Sequence, residues 1–160
     1  MKIYFFLIFL ILQAPNVLAK DIGYDPLKDP FEQLDNAIEI AKKDNQLILV
    51  IAGGDWCRWC YVLDDYFKSN TKVYNRLKET FVPLKVYYGD ENRNEEFFSQ
   101  LPKAKGYPHF WVISPEKLVI HSQETGVFEE GNDGYSDSVF NKFIEYFEQY
   151  ISNNQKPSES

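Results

Sequence analysis

The chain's two cysteines lie three residues apart in Trp56-Cys57-Arg58-Trp59-Cys60, directly after an apolar run and at the expected start of a helix. A thiol attacks only as its thiolate, and an unperturbed cysteine titrates near pH ~8.5, so a working nucleophile needs surroundings that favour negative charge. A helix start supplies them through unpaired backbone N–H groups and the positive end of the macrodipole, and Arg58 adds a neighbouring cation. Cys60 falls about one helical turn further along the same face, where its sulfur can reach that of Cys57. The spacing predicts a pair that cycles between dithiol and disulfide.

Three plainer readings compete. A purely structural bridge is the first, although closing so short a loop constrains the unfolded chain far less than joining distant segments. Half of a zinc site is the second, with His109 and His121 to complete it, yet the spacing of those histidines matches no common zinc signature. Two unrelated buried thiols are the third. A turn set between two tryptophans looks exposed, which argues against it.

The rest of the chain sets the context. Residues 1–19 have the pattern of a secretory leader: Lys2, an unbroken apolar stretch over 3–12, and Val17-Leu18-Ala19 as a small-residue cleavage site. That stretch, followed by Gln13, Pro15 and Asn16, is well short of the ~20 residues a membrane-spanning helix needs. Export would place the cysteines where disulfides form and persist. The C-terminal Lys156-Pro157-Ser158-Glu159-Ser160 is no endoplasmic-reticulum retrieval signal, so a bacterial periplasm is the expected location, with secretion as the alternative. What remains suits one domain over 20–152 and a polar tail over 153–160. A formal charge of −7 argues against nucleic acid and anionic membrane surfaces as partners.

Periodicity predicts the elements that must position the cysteines. A helix over 30–43 opens on Pro30 and repeats Phe31, Leu34, Ala37, Ile38 and Ala41 at three- and four-residue steps. Residues 46–52 form an apolar run without alternation, as in a strand covered on both faces. Gly53-Gly54-Asp55 turns the chain into the cysteine-bearing helix, which breaks near Ser69-Asn70 and resumes over 72–79. A strand over 81–88, a short helix over 91–100, a Gly106-Tyr107-Pro108 turn, a hairpin of 109–113 with 118–123, and a helix over 136–151 follow. Strand-helix-strand units imply a parallel pair, and the hairpin adds antiparallel strands. The predicted class is α/β, one mixed central sheet with helices on both faces.

This order, with WCxxC after the first strand and a Gly-x-Pro turn before the hairpin, resembles the thioredoxin superfamily over nearly all of residues 30–151. In detail, Gly53-Gly54-Asp55-Trp56-Cys57-Arg58-Trp59-Cys60 and Gly106-Tyr107-Pro108-His109-Phe110 are similar to exported bacterial thioredoxin-like proteins with a WCxWC site. The resemblance implies roles. Cys57 would be the exposed attacking thiol, Cys60 the resolving thiol, and Pro108 a cis-proline whose loop, with Tyr107, faces the cysteines and aligns a substrate backbone. Trp56 and Trp59 could form an apolar rim or simply pack beside the turn, and Arg58 could favour the thiolate or lie solvated. The family often carries a buried acid on the strand before the site, where this chain has Ile51, while Lys85 aligns with the lysine often found on the next strand. Asp55 and Asp64 read as solvated surface acids. His109 reads as a strand-packing residue, His121 as a hairpin surface residue, and 129–134 as an acidic loop.

The expected function is that of an exported thiol-disulfide oxidoreductase that needs no cofactor and holds no metal. Its expected partners are exported proteins with cysteine thiols or disulfides, and a redox protein that donates or accepts electrons. A non-catalytic thioredoxin-like binding or chaperone module is one alternative, and copper or zinc handling through Cys57, Cys60 and His109 is another.

Overall fold

The structure, a computed structural model, describes residues 20–154. The expected leader over 1–19 and tail residues 155–160 lie outside the described residues. Among the described residues no helix is long and apolar enough to cross a membrane.

Helix α1, Pro30–Asp44, opens on Asp29, whose carboxylate accepts the Phe31 N–H, and stops at Asn45 in the left-handed region (φ 57°). Proline at the first helical position and a side-chain cap are the expected start signals, and asparagine tolerates the left-handed stop. Strand β1, Leu47–Gly53, is buried along its whole length. It runs parallel to β2, Phe81–Tyr87, and antiparallel to β3, His109–Ile113, which pairs in turn with β4, Val119–Glu124. The sheet order β2-β1-β3-β4 leaves β2 at an edge, where Pro83 costs no interior ladder bond.

Alternation along β1 divides the core. Leu47, Leu49 and Ile51 join a cluster with Leu63, Phe67, Leu77, Phe140 and Phe147, while Ile48, Val50 and Ala52 join Ala37, Ile38, Ala41 and Phe97. The first face is therefore covered by α2 (Arg58–Ser69), α3 (Thr71–Thr80) and α5 (Asp137–Asn154), and the second by α1 and α4 (Glu95–Ser99). The molecule is the expected mixed sheet with helices on both faces.

Three local expectations need correction. The short helix predicted over 91–100 is confined to Glu95–Ser99, because Asn92 accepts the Asn94 N–H and Asn94 adopts φ 46° while donating to the Tyr87 carbonyl. Side-chain amides here compete with helical hydrogen bonds. The acidic loop over 129–134 contains a two-stranded ladder, β5 (Glu129–Glu130) with β6 (Gly134–Tyr135), preceded by a 3-10 turn over Thr125–Phe128. Helix α5, expected over 136–151, runs over Asp137–Asn154, three residues past its expected end.

Candidate active site

Cys57 is the N-cap of α2. Its backbone is extended, its sulfur accepts the Cys60 N–H at 3.2 Å, and its N–H is bonded to the Gly54 carbonyl. The Cys57 sulfur thus already occupies the anion-favouring position at a helix start. Cys57 and Cys60 are joined in a disulfide with their Cα atoms 5.2 Å apart. Gly53 makes this possible: a Cβ there would lie 2.4 Å from the Cys60 sulfur and 2.9 Å from the Tyr24 hydroxyl.

The exposure expected of Cys57 is not found in the disulfide form. Cys57 is 4% exposed and Cys60 2%, packed with Ile22 and flanked by Tyr24, Trp59, Tyr61 and Tyr107. The covering groups come from the extended segment before α1, from the first turn of α2 and from the loop before β3. Such contacts have no periodic signature in the sequence.

Around the sulfurs lies an aromatic rim. Trp56 is 52% exposed, yet its indole N–H donates to the Tyr88 carbonyl at 2.6 Å and its ring meets Tyr107 edge-on at 5.5 Å. Tyr107 in turn stacks on Tyr88 at 4.8 Å. These bonds hold a large apolar side chain fixed in solvent, the geometry of a contact surface. Beside it an open groove of about 490 Å³ is lined by Asp55, Trp56, Tyr87, Tyr88, Asp90 and Arg93. Trp59 flanks the cysteine pair and packs edge-on against Tyr135, and the exposed Arg58 guanidinium lies 5.9 Å from its ring centroid.

The Tyr107–Pro108 peptide bond is cis. The carbonyl of Pro108 accepts the buried Thr125 hydroxyl at 2.7 Å, which ties the loop to the 3-10 turn. His109, the next residue, bonds Ser122 through Nε2 at 2.9 Å and lies 4.4 Å from the Trp111 ring. Burial lowers its pKa to about 4, outweighing the opposite pull of Glu124. It packs neutral in the strand, as expected. His121 is only partly exposed and meets Gln123 at 3.0 Å. Among the described residues no three His, Cys, Asp or Glu side chains are grouped to hold a metal ion.

Asp64 corrects the sequence reading most directly. It is no solvated surface acid: its side chain is 10% exposed and paired with Lys68 at 2.6 Å and Lys85 at 3.1 Å. Burial alone would push the carboxyl up, but the Lys68 and Lys85 hydrogen bonds and charges hold it below its ordinary value. Lys85 also donates to the Ile22 carbonyl at 2.5 Å, which anchors the segment that covers the cysteines. Asp64, four residues after Cys60 on α2, lines a small cavity with Ile51, Phe67 and Lys85. The i,i+4 step from Cys60, on a helix whose buried stripe includes Leu63 and Phe67, is the signal that could have found it.

A family model described as thioredoxin-like matches residues 29–115. The chain is 32% identical over 95 residues to the disulfide bond reductase DsbH of Chlamydia pneumoniae, covering 54% of this chain and 57% of that relative. It therefore spans little more than half the length of that protein. The crystal structure of a disulphide isomerase from Xylella fastidiosa Temecula1 superposes with a TM-score of 0.60 at 20% identity, over 85% of this chain and 98% of the other. The oxidised C-terminal domain of DsbD from Neisseria meningitidis gives 0.52 at 14% identity, over 76% and 95%. At such identities the two structures speak for the fold alone. The chain belongs to the thioredoxin-like family.

Proposed function

We propose that the protein is a thiol-disulfide oxidoreductase that acts on cysteines of other exported proteins through a mixed disulfide at Cys57. The observation that carries this reading is the Cys57–Cys60 disulfide at the N-terminus of α2, under a rim of Trp56 and Tyr107 beside the cis-proline loop. In the reducing direction the Cys57 thiolate attacks a substrate disulfide, one substrate sulfur leaves as a thiolate, and the Cys57–substrate bond forms. Cys60 then attacks Cys57, releasing the second substrate sulfur and closing the intramolecular bridge. Two electrons pass to the substrate, and a partner dithiol restores the reduced pair. The oxidising direction is the same sequence reversed.

Several features support the assignment. The helix N-terminus favours the Cys57 thiolate without any further group, and thiol exchange needs no cofactor. Pro108, Tyr107 and Trp56 offer a backbone and an apolar contact for an extended substrate segment, with Arg58 exposed beside them. The relative in Chlamydia pneumoniae carries the name disulfide bond reductase, and a protein named a disulphide isomerase shares the fold; both names concern thiol-disulfide exchange. The leader pattern over 1–19 supports action outside the cytoplasm, in a periplasm or after secretion, on exported proteins and with a redox partner protein.

Replacing the two cysteines separately tests the reading. Cys57→Ser should abolish turnover of a disulfide substrate, whereas Cys60→Ser should accumulate a covalent Cys57–substrate adduct. Full activity in both would overturn it. The 4% exposure of Cys57 favours one second reading, a binding module stapled by an inert bridge. That reading predicts partner binding independent of oxidation state.

A further inference from the structure

Tyr24 brings to Cys60 a buried hydroxyl that the exchange chemistry leaves unused. It lies in the extended segment before α1, where Ile22 packs on both cysteines and the Tyr24 ring bridges that cluster to the main core. The ring edge is partly exposed, but its hydroxyl oxygen is buried and has no hydrogen-bond partner among the described residues. The position of that oxygen is specific. A Cβ on Gly53 would stand 2.9 Å from it and 2.4 Å from the Cys60 sulfur, so hydroxyl and sulfur border the same bare backbone position.

The groups whose charge or ring contact reaches Tyr24, Lys85, Asp64 and Tyr135, are engaged elsewhere. Lys85 Nζ, 5.5 Å from the Tyr24 ring centroid, donates to the Ile22 carbonyl and to Asp64. Asp64 is shared among Lys68, Lys85 and, at 3.6 Å, Lys20. The Tyr135 hydroxyl points to the Trp59 carbonyl at 3.4 Å. A buried donor left without an acceptor is costly, and native structures rarely keep one without a reason. A disulfide sulfur is a poor acceptor and a thiolate a strong one.

We propose that Tyr24 is a positioning residue for the resolving step, its hydroxyl donating a hydrogen bond to the Cys60 thiolate once the Cys57–Cys60 bond is open. The inference rests on the oxidoreductase reading of the pair. Burial holds the phenol far above its ordinary range, with Tyr135 and Asp64 adding to the effect, so Tyr24 keeps its own proton at any working pH. It is a donor and not an acid. In the step it serves, Cys60 first releases its proton to solvent. The thiolate then attacks the Cys57 sulfur of the mixed disulfide, the Cys57–Cys60 bond forms, the Cys57–substrate bond breaks, and the substrate sulfur leaves with the electron pair and takes a proton from solvent. Ile51 on β1 carries no polar group, and the Tyr24 hydroxyl stabilises the anion.

A hydrogen bond made in the open pair and missing in the disulfide biases the equilibrium towards the open form. Tyr24→Phe keeps the ring and removes the bond. In glutathione titrations of the purified protein, the variant should favour the disulfide by about tenfold over wild type, which corresponds to a potential ~30 mV more negative. In a Cys57→Ser background, the ultraviolet absorbance of the Cys60 thiolate should require higher pH in Tyr24→Phe, the thiolate fraction at a given pH falling by about tenfold. The disulfide form of Tyr24→Phe should be at least as heat-stable as wild type, since only an unpaired hydroxyl is lost. Potential and titration both unchanged would overturn the inference and leave the oxidoreductase reading intact. A disulfide form that unfolds would also overturn it, because the hydroxyl would then be bonded in that state. A wild-type bridge inert to glutathione would instead sink the oxidoreductase reading, and the Cys60 titration would still decide whether the hydroxyl meets the thiolate.

Discussion

Asp64 on α2 and Lys85 on β2 form an ion pair at 3.1 Å with the Asp64 side chain almost enclosed. Lys85 simultaneously holds the Ile22 carbonyl, so one cation joins the helix that bears the cysteines to the segment that covers them. Asp64→Asn should leave Lys85 without its counter-charge and cost about 2 kcal/mol in urea unfolding. The pH dependence has a definite sign. The folded carboxyl titrates below its ordinary 3.8, so its contribution is present above that value and is lost as pH falls through the folded pKa. The variant should flatten the acid limb of the stability profile, and an unchanged limb would show that the pair is solvated.

His109 makes a second acid-sensitive contribution in a different window. Burial lowers its pKa from 6.5 to about 4, so the unfolded chain binds the extra proton first. Stability should fall as pH drops from about 6.5 to about 4 and level off below, by up to about 3 kcal/mol. His109→Gln should remove this slope in urea titrations at stepped pH. A slope that survives the substitution would assign it to other groups.

Gly53→Ala tests the close approach of β1 to the bridge. A Cβ placed 2.4 Å from the Cys60 sulfur cannot be accommodated while that sulfur is fixed in the disulfide, whereas a free thiol can turn aside. The substitution should destabilise the oxidised protein by roughly 2–3 kcal/mol and the reduced protein by less. Thermal unfolding with and without dithiothreitol reads the difference, and equal losses in both forms would contradict the geometry.

Trp56 separates contact from support. Its exposed ring contributes little core burial, so Trp56→Ala should cost only about 1 kcal/mol of stability through the Tyr88 hydrogen bond and the Tyr107 edge contact. Reduction of a protein disulfide should slow about tenfold, mainly through KM, while exchange with glutathione stays close to wild type. Equal losses with both substrates would place Trp56 in the support of the cysteines and not in contact with substrate.

The parts legible in the sequence are those written in short-range pattern. The unbroken apolar run of β1, Pro30 at the start of α1, the break at Asn70 and the cysteine spacing each specify their own local structure, and together they imply the sheet. What escaped the sequence depends on contacts between distant segments. Asp64 reads as a surface acid until β2 brings Lys85 beside it, and Cys57 reads as exposed until Ile22 and Tyr107 arrive from either side. The loop at Asn92 and Asn94 was hidden differently. Its phenylalanines and glutamates have helical spacing, and two side-chain amides override it.

The central claim is that the Cys57–Cys60 bridge exchanges and does not merely staple a turn. Its equilibrium reduction potential, from glutathione or dithiothreitol titration of the purified protein, tests this most directly. The account predicts a value between about −270 mV, the thioredoxin end, and about −120 mV, the end of strong oxidants, with the position inside that span giving the direction of electron flow. A potential well below about −300 mV would mark an inert structural bridge and contradict the account.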